Sequence, residues 1–240
     1  MKTIFILLIC HWYLSLFCQT FYLHRYSAHA MFKMNYFWDR FFFVLTFLCQ
    51  GSSFLSPKAY SILHQSHHHY SDTEKDPHSP HHSKNAMDMM VKTWKMFQYW
   101  REDENDGVPS FVNRCWPKWP FFEFLAGQWA MNIFWGALYL GIYLWVSPPW
   151  FMYFFLPLHF IMGPIQGAIV NWFGHKVGHR NFDLPDKSTN TLWIDFFLMG
   201  ELYQNNHHRH AKNPNFASKW FEIDLGYCVM RVFYALRIIT

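Results

Sequence analysis

Three long apolar runs, residues 3–23, 121–145 and 150–173, restrict the folds open to this chain more than any other feature. Each is about the length, roughly 20 residues, that carries a helix across a hydrocarbon core. A backbone in lipid must satisfy its own amides, so such runs are helices when they cross. Composition agrees: of 240 residues, 52% are apolar and only 15% charged, against about 25% charged in an ordinary soluble domain. The first run follows Lys2 and has the outline of a signal peptide, but no small-residue cleavage site follows it, and we read it as a span. The second and third are joined by "VSPPW", an uncharged connection in which Pro148 and Pro149 break the helix. They read as a hairpin that crosses and returns.

Residues 36–55 form a weaker candidate. Asp39 and Arg40 stand at its start, and its uninterrupted core "FFFVLTFLC" covers less than half a bilayer as a helix. We expect an interfacial helix, or one that dips in partway. Arg25, Lys33 and Arg40 follow the first run, basic residues are scattered from Lys58 to Lys118, and Lys176 and Arg180 follow the last. By the positive-inside rule these connections are cytoplasmic, and only Lys2 and the "VSPPW" turn face out. The expected fold is one domain over residues 1–240, an all-α integral membrane protein. It has three transmembrane helices plus an interfacial helix, with a cytoplasmic helical cap.

Several function classes drop out. The five cysteines, Cys10, Cys18, Cys49, Cys115 and Cys228, form no C-x-x-C pair, so zinc ribbons and iron–sulfur clusters lack their spacing. A net charge of +4 dispersed among aromatics suits anionic lipid headgroups rather than nucleic acid. No Gly-rich phosphate loop or dinucleotide fingerprint is present.

Ten of the sixteen histidines fall into four sets: His24 and His29 in "HRYSAH", His64, His67 and His68 in "HQSHH", His175 and His179 in "NWFGHKVGHR", and His207, His208 and His210 in "QNNHHRH". All lie in the connections assigned to the cytoplasm. On a helix, His64, His67 and His68 occupy i, i+3 and i+4 and leave one face. Gln204, His207 and His208 repeat that spacing. His24 and His29 are five apart and would splay by roughly 140° on a straight α-helix. They converge only if the helix ends or distorts there, or if they serve two metals. The imidazoles exceed what one four-coordinate zinc uses, so two ions of higher coordination number are the economical reading. Imidazole alone does not choose the metal. His69, His78, His81 and His82 stand beside Asp72, Glu74, Asp76 and prolines, and read as a mostly solvated turn. His11 and His159 lie inside spans and read as packing or hydrogen-bonding residues.

With these boxes the sequence resembles the membrane-bound fatty acid desaturases, the acyl-CoA delta-9 group most of all. "HRYSAH", "HQSHH" and "QNNHH" match that family's H-x4-H, H-x2-H-H and [H/Q]-x2-H-H boxes. "HHHYSDTEKDPHSP", "NWFGHKVGHRNF" and "KWFEIDLGY" are similar to its acidic run, its Asn-x3-His segment and its tail after the third box, so the likeness extends from about Leu23 to Tyr227. The resemblance implies that His24, His29, His64, His67, His68, His175, His207 and His208 ligate two iron ions cycling between Fe2+ and Fe3+. Asn171 would contribute through a hydrogen bond or a bound water. Gln204 stands where acyl-CoA desaturases often have histidine, and would either ligate weakly through its amide oxygen or hydrogen-bond a metal-bound water.

What the resemblance implies for activity is O2-dependent insertion of a cis double bond into a saturated fatty acyl chain, acyl-CoA by preference. The two electrons would come from a ferredoxin, or from a b-type cytochrome with its NAD(P)H reductase, since the chain has no redox-cofactor motif of its own. The chain would sit among lipids of a bacterial inner membrane, catalytic face to the cytoplasm. One rival is a membrane di-iron hydroxylase of alkyl chains or sterols, separated by its product, an alcohol. Another is a metal-binding or metal-transporting membrane protein, which should carry its ligands near mid-membrane. The histidine sets lie at one face instead, and "DPHSP" with the Gln-x2-His-His form favours desaturation.

Overall fold

A computed structural model describes residues 1–102 and 107–240. Among these the chain is helical, with isolated β-bridges and no strand. Helix α1 runs unbroken over Lys2–Ala28, with mean hydropathy and length sufficient to cross a membrane. Its two halves face different surroundings. Phe5, Ile6, Ile9 and Leu14 are exposed, whereas in Cys18–Ala28 every residue but Tyr26 is buried in protein. This second half is π-helical, with i→i+5 bonding such as His29 N to His24 O at 3.1 Å.

Helix α2 (Tyr36–Gln50) starts at Asn35, whose side chain accepts from Trp38 N at 3.0 Å. It packs antiparallel along α1: Tyr22 meets Asp39, Phe17 and Phe21 meet Phe42, and the turn at Gly51 meets Tyr139, which in turn touches His11. Its outer residues Tyr36, Phe37, Phe41 and Leu48 are apolar and exposed, as expected of a helix touching lipid. A 3-10 turn (Gly51–Ser53) reverses the chain into α3 (Pro57–Tyr70), which is capped by Ser56 and opened by Pro57 at its first position. Helix α4 (Ala86–Glu102) packs against α3 and against the later helix Met162–Gly174.

The second apolar run, expected as one span from residue 121, breaks instead into α5 (Pro120–Gly127) and α6 (Trp129–Val146). Gly127 and an extended Gln128 (ψ 133°) interrupt the helical path. Only α6 has the length and apolarity to cross a membrane. The third run is also broken: residues Trp150–Phe160, ending in α7 (Leu156–Phe160), and α8 (Met162–Gly174) meet at a 76° bend. Ile161 leaves helical geometry there, and Gly163 and Pro164 follow it. By length and composition the described residues therefore hold two candidate spans, and a third if the bent pair counts as one. The remainder carries α9 (Gln204–Arg209) and α10 (Leu225–Ala235), with Asp224 capping α10 by accepting from Tyr227 N at 2.8 Å. A buried cluster gathers Phe21, Tyr22, Leu23, Phe32, Phe42 and Phe43 where α1, α2 and α10 meet, and it fixes the box-bearing half of α1.

Candidate metal centre

The π-helical turn brings His24 and His29 together. With i→i+5 bonding, residues five apart come back to almost the same face, and their ring centroids are 5.0 Å apart. On α3 nothing breaks the helix before Ser71, so His64, His67 and His68 keep the i, i+3, i+4 register. His175 follows the last turn of α8, and His207 and His208 lie on α9.

All eight expected histidines converge, and they do so in two groups. His24, His29, His64, His68 and His207 form one, and His67, His175 and His208 the other, each with its nitrogens within 4.8 Å of one another. Nε2 faces Nε2 in five pairs: His29 to His64 at 2.7 Å, His68 to His64 at 3.0 Å, His68 to His207 at 2.9 Å, His24 to His207 at 3.0 Å and His67 to His175 at 3.2 Å.

The outer nitrogens explain which atoms carry protons. His24 Nδ1 lies 2.6 Å from Glu201, His67 Nδ1 2.9 Å from Asp76, His175 Nδ1 2.9 Å from Asp72 and His208 Nδ1 3.0 Å from Asp186. A carboxylate only accepts, so in each neutral ring the proton sits on Nδ1 and the Nε2 lone pair points inward. His175 then turns its Nε2 lone pair inward, and His208 Nε2 is buried with no hydrogen-bond partner among the described residues. Such a set repels itself unless a cation sits between the rings. The donors therefore fit a pair of metal ions, one per group.

Electrostatics points the same way. Burial, reinforced by neighbouring imidazoles, pushes His29, His64, His68 and His207 well below the ordinary histidine range, into the neutral form that ligates. Burial also acts on His67, but Asp76 outweighs it and raises that ring. Asp76 resists its own burial through His67 and is held at about 2.

The acidic residues are what sequence reading missed. The "SDTEKDPH" turn was expected to be mostly solvated, yet Asp76 and His78 are buried and the Asp72 side chain is 3% exposed. Asp72 also accepts from Lys187 N at 2.7 Å and from Ser79 at 3.1 Å, so the turn is folded inward by its own carboxylates. Acidic residues four and eight positions beyond a histidine box were the available signal. Glu201 had none in the sequence; it reaches His24 while pairing with Arg25 at 3.0 Å and meeting Thr20. The remaining histidines stay outside both groups. His69 stacks on Phe111, His179 stacks on Trp193, and His210 is exposed. His11 and His159 pair with each other inside the apolar segments at 2.7 Å, as hydrogen-bonding residues.

A cavity of about 880 Å³ opens beside the centre. His24, His64, Glu201 and Gln204 line one end, and Leu16, Gln19, Gly163 and Gln166 its walls between α1 and α8. Met90, Trp94, Phe97, Arg101 and the exposed Glu102 of α4 also line it. Asn171 and Gln204 both line it. The Gln204 amide is fixed, donating to Glu201 O at 2.7 Å, and it packs so close over Gly174 that any side chain there would collide with it.

Residues 2–218 match the family model described as fatty acid desaturase. The chain is 28% identical over 242 residues to a hex-5-enoyl-[acyl-carrier protein] acetylenase of Moorena producens, covering 93% of this chain and 72% of that protein. It is 28% identical over 228 residues to a delta-9 desaturase-like 4 protein of Arabidopsis thaliana, covering 92% and 70%. To an sn-1 stearoyl-lipid 9-desaturase of Anabaena variabilis it is 28% identical over 220 residues, covering 90% and 75%.

Proposed function

Given that the chain belongs to the fatty acid desaturase family, we propose that it places a cis double bond in a saturated fatty acyl chain, presented as acyl-CoA, at the delta-9 position. The observation that carries this reading is the meeting of two imidazole groups, one of which lines a largely apolar cavity through His24 and His64.

In this proposal His24, His29, His64, His68 and His207 hold one iron, and His67, His175 and His208 the other. Bound there, the iron pair would supply, with O2 and two external electrons, the oxidising power that side chains lack toward an unactivated methylene. The chain's own residues position and exclude. Glu201, Asp72, Asp76 and Asp186 orient the rings by accepting from Nδ1. Gln204 and Asn171 present carboxamides to the cavity that His24 and His64 line, where they would hydrogen-bond a water near the centre. Leu16, Met90, Trp94 and Phe97 line the path of the alkyl chain and keep water from it. Arg101, a cation lining the cavity, would receive the polar carrier. Electrons come from a ferredoxin, or from a b-type cytochrome and its NAD(P)H reductase, on the cytoplasmic face.

The test is expression in a host lacking the activity, followed by fatty-acid profiling. New cis monounsaturates are the expected result, and delta-9 placement is read from derivatised fragments. Hydroxylated chains without new double bonds would overturn the assignment in favour of an alkyl hydroxylase.

A further inference from the structure

We propose that residues 192–197, which sequence reading placed in the cytoplasmic cap, are seated in the bilayer as a non-helical wedge contacting lipid acyl chains beside Trp12 and Tyr13 of α1. The strip reads Leu-Trp-Ile-Asp-Phe-Phe, and its five apolar side chains are 37%, 63%, 45%, 51% and 48% exposed in chain order. Asp195, the one polar residue, is turned inward and fully buried. A strip of this kind facing water is a liability.

Part of its backbone is satisfied by protein rather than left to water. Non-helical backbone at membrane depth must have its polar groups satisfied by protein. Here Asp195 accepts from Leu198 N at 2.8 Å, Gly200 N at 3.1 Å and Leu202 N at 3.0 Å, while its own amide donates to the Tyr203 hydroxyl at 3.0 Å. Tyr203 donates to Trp193 O at 3.3 Å. On the outer side, Trp12 Nε1 donates to Phe197 O at 3.1 Å and the Tyr13 hydroxyl to Phe196 O at 3.3 Å. The groups bonded in this way are satisfied without water.

The strip also continues an existing lipid-facing surface. Phe197 stacks on Trp12 at 4.8 Å, next to Ile9 and Tyr13 on the exposed side of α1, a helix with the length and apolarity of a span. Beneath it Leu198, Met199 and Leu202 pack on Leu16, which fixes its height against α1. Trp193 leads through Phe221 at 5.6 Å to Trp220, an indole 95% exposed and preceded by Lys219, the pairing found where headgroups meet acyl chains. A protein partner fits less well, since the strip presents no charge of either sign to orient one. The strip runs directly into Glu201 and the third histidine set, so lipid seated against it holds that part of the centre in place.

The test uses the full chain in lipid nanodiscs. Its cysteines, none disulfide-bonded, are replaced (Cys18→Ala, the rest to Ser). Single cysteines are then introduced as Ile194→Cys, Phe196→Cys or Phe197→Cys, with the exposed Glu74→Cys as the aqueous control. Spin-labelled samples are power-saturated with O2 and with a water-soluble nickel chelate. Positions 194, 196 and 197 are expected to favour O2 over nickel several-fold, and position 74 the reverse. Nickel access equal to that at position 74 overturns the proposal. So does protection that arises only when an electron-donor protein is added, which would assign the strip to that partner. With native side chains retained, Trp193→Phe should remove a component of tryptophan emission quenched by brominated lipid; unchanged quenching would also overturn it. Neither readout depends on desaturase activity.

Discussion

His67 and His68 are neighbours in the chain yet serve opposite groups: His67 Nε2 lies 3.2 Å from that of His175, and His68 Nε2 2.9 Å from that of His207. His207 and His208 divide in the same way. Two adjacent helical residues point about 100° apart, so a His-His pair is a device for feeding two ions from one helix. The expectation is that His67→Ala and His68→Ala each abolish desaturation while removing different metals. Iron analysis of either purified variant should fall from about two toward about one per chain, as the group assignment predicts. Loss of both ions from both variants would mean that the groups do not bind independently.

Carboxylates that hold a ligating ring should matter nearly as much as the ring itself. Asp76→Asn and Asp72→Asn replace acceptors at 2.9 Å from His67 and His175 with groups that can present an N–H instead. Each is expected to lower metal affinity or activity about 10–100-fold. Glu74→Gln, exposed on the same turn and outside the network, should leave both unchanged. Metal titration and product formation measured side by side check the three.

Chelation should destabilise the fold as well as silence it. Without a cation, the Nε2 atoms of each group crowd one another, and His208 Nε2 is buried with no partner among the described residues. An ion present at a thousand times its dissociation constant stabilises by about 4 kcal/mol. Melting in detergent should therefore drop after chelator treatment and recover with either Fe2+ or Zn2+, while activity recovers with iron alone. An unchanged melting temperature would contradict the fit of metal to this donor set.

How far the centre could be read from sequence depends on the range of each interaction. The i, i+3, i+4 register of His64, His67 and His68 is local, so α3 was legible from spacing. The convergence of His24 and His29 needed a helix distortion, and its π form depends on tertiary packing: Cys18–Ala28 is buried between α2, α3 and α10. The apolar runs marked lipid-compatible segments without marking their breaks. An extended Gln128 and the bend at Ile161 change few apolar residues and so leave hydropathy almost unaltered. Glu201 is least legible, because its partners His24 and Arg25 lie far away in the sequence.

Arg25 offers a test of stability apart from metal. Its guanidinium is fully buried, 2.8 Å from Asp224 and 3.0 Å from Glu201, donates to Pro214 O at 3.1 Å and lies 3.9 Å over the Phe216 ring. Removing one partner of a buried ion pair leaves the other charged and unpaired, at a cost of about 3–5 kcal/mol. Arg25→Ala should lower the melting temperature even in chelated protein, where ligand effects are absent. Arg25→Lys should recover only part of it, since one ammonium cannot serve two carboxylates, a carbonyl and a ring face together.

Gly51 gives the sharpest steric expectation. It ends α2 with φ at 54°, where a residue bearing a Cβ is strained, and that Cβ would collide with the Tyr139 hydroxyl and approach the ring carbon bearing it to 3.2 Å. Tyr139 is itself buried, so it has little room to withdraw. Gly51→Ala is expected to cost about 1–3 kcal/mol from backbone strain, with the collision added. Tyr139→Phe removes the hydroxyl but leaves the ring, so in the double variant it should relieve the collision and leave the strain. A double-mutant cycle by thermal unfolding then separates the two terms: coupling of about 0.5 kcal/mol or more identifies the collision, and strict additivity would show that the turn yields around Tyr139.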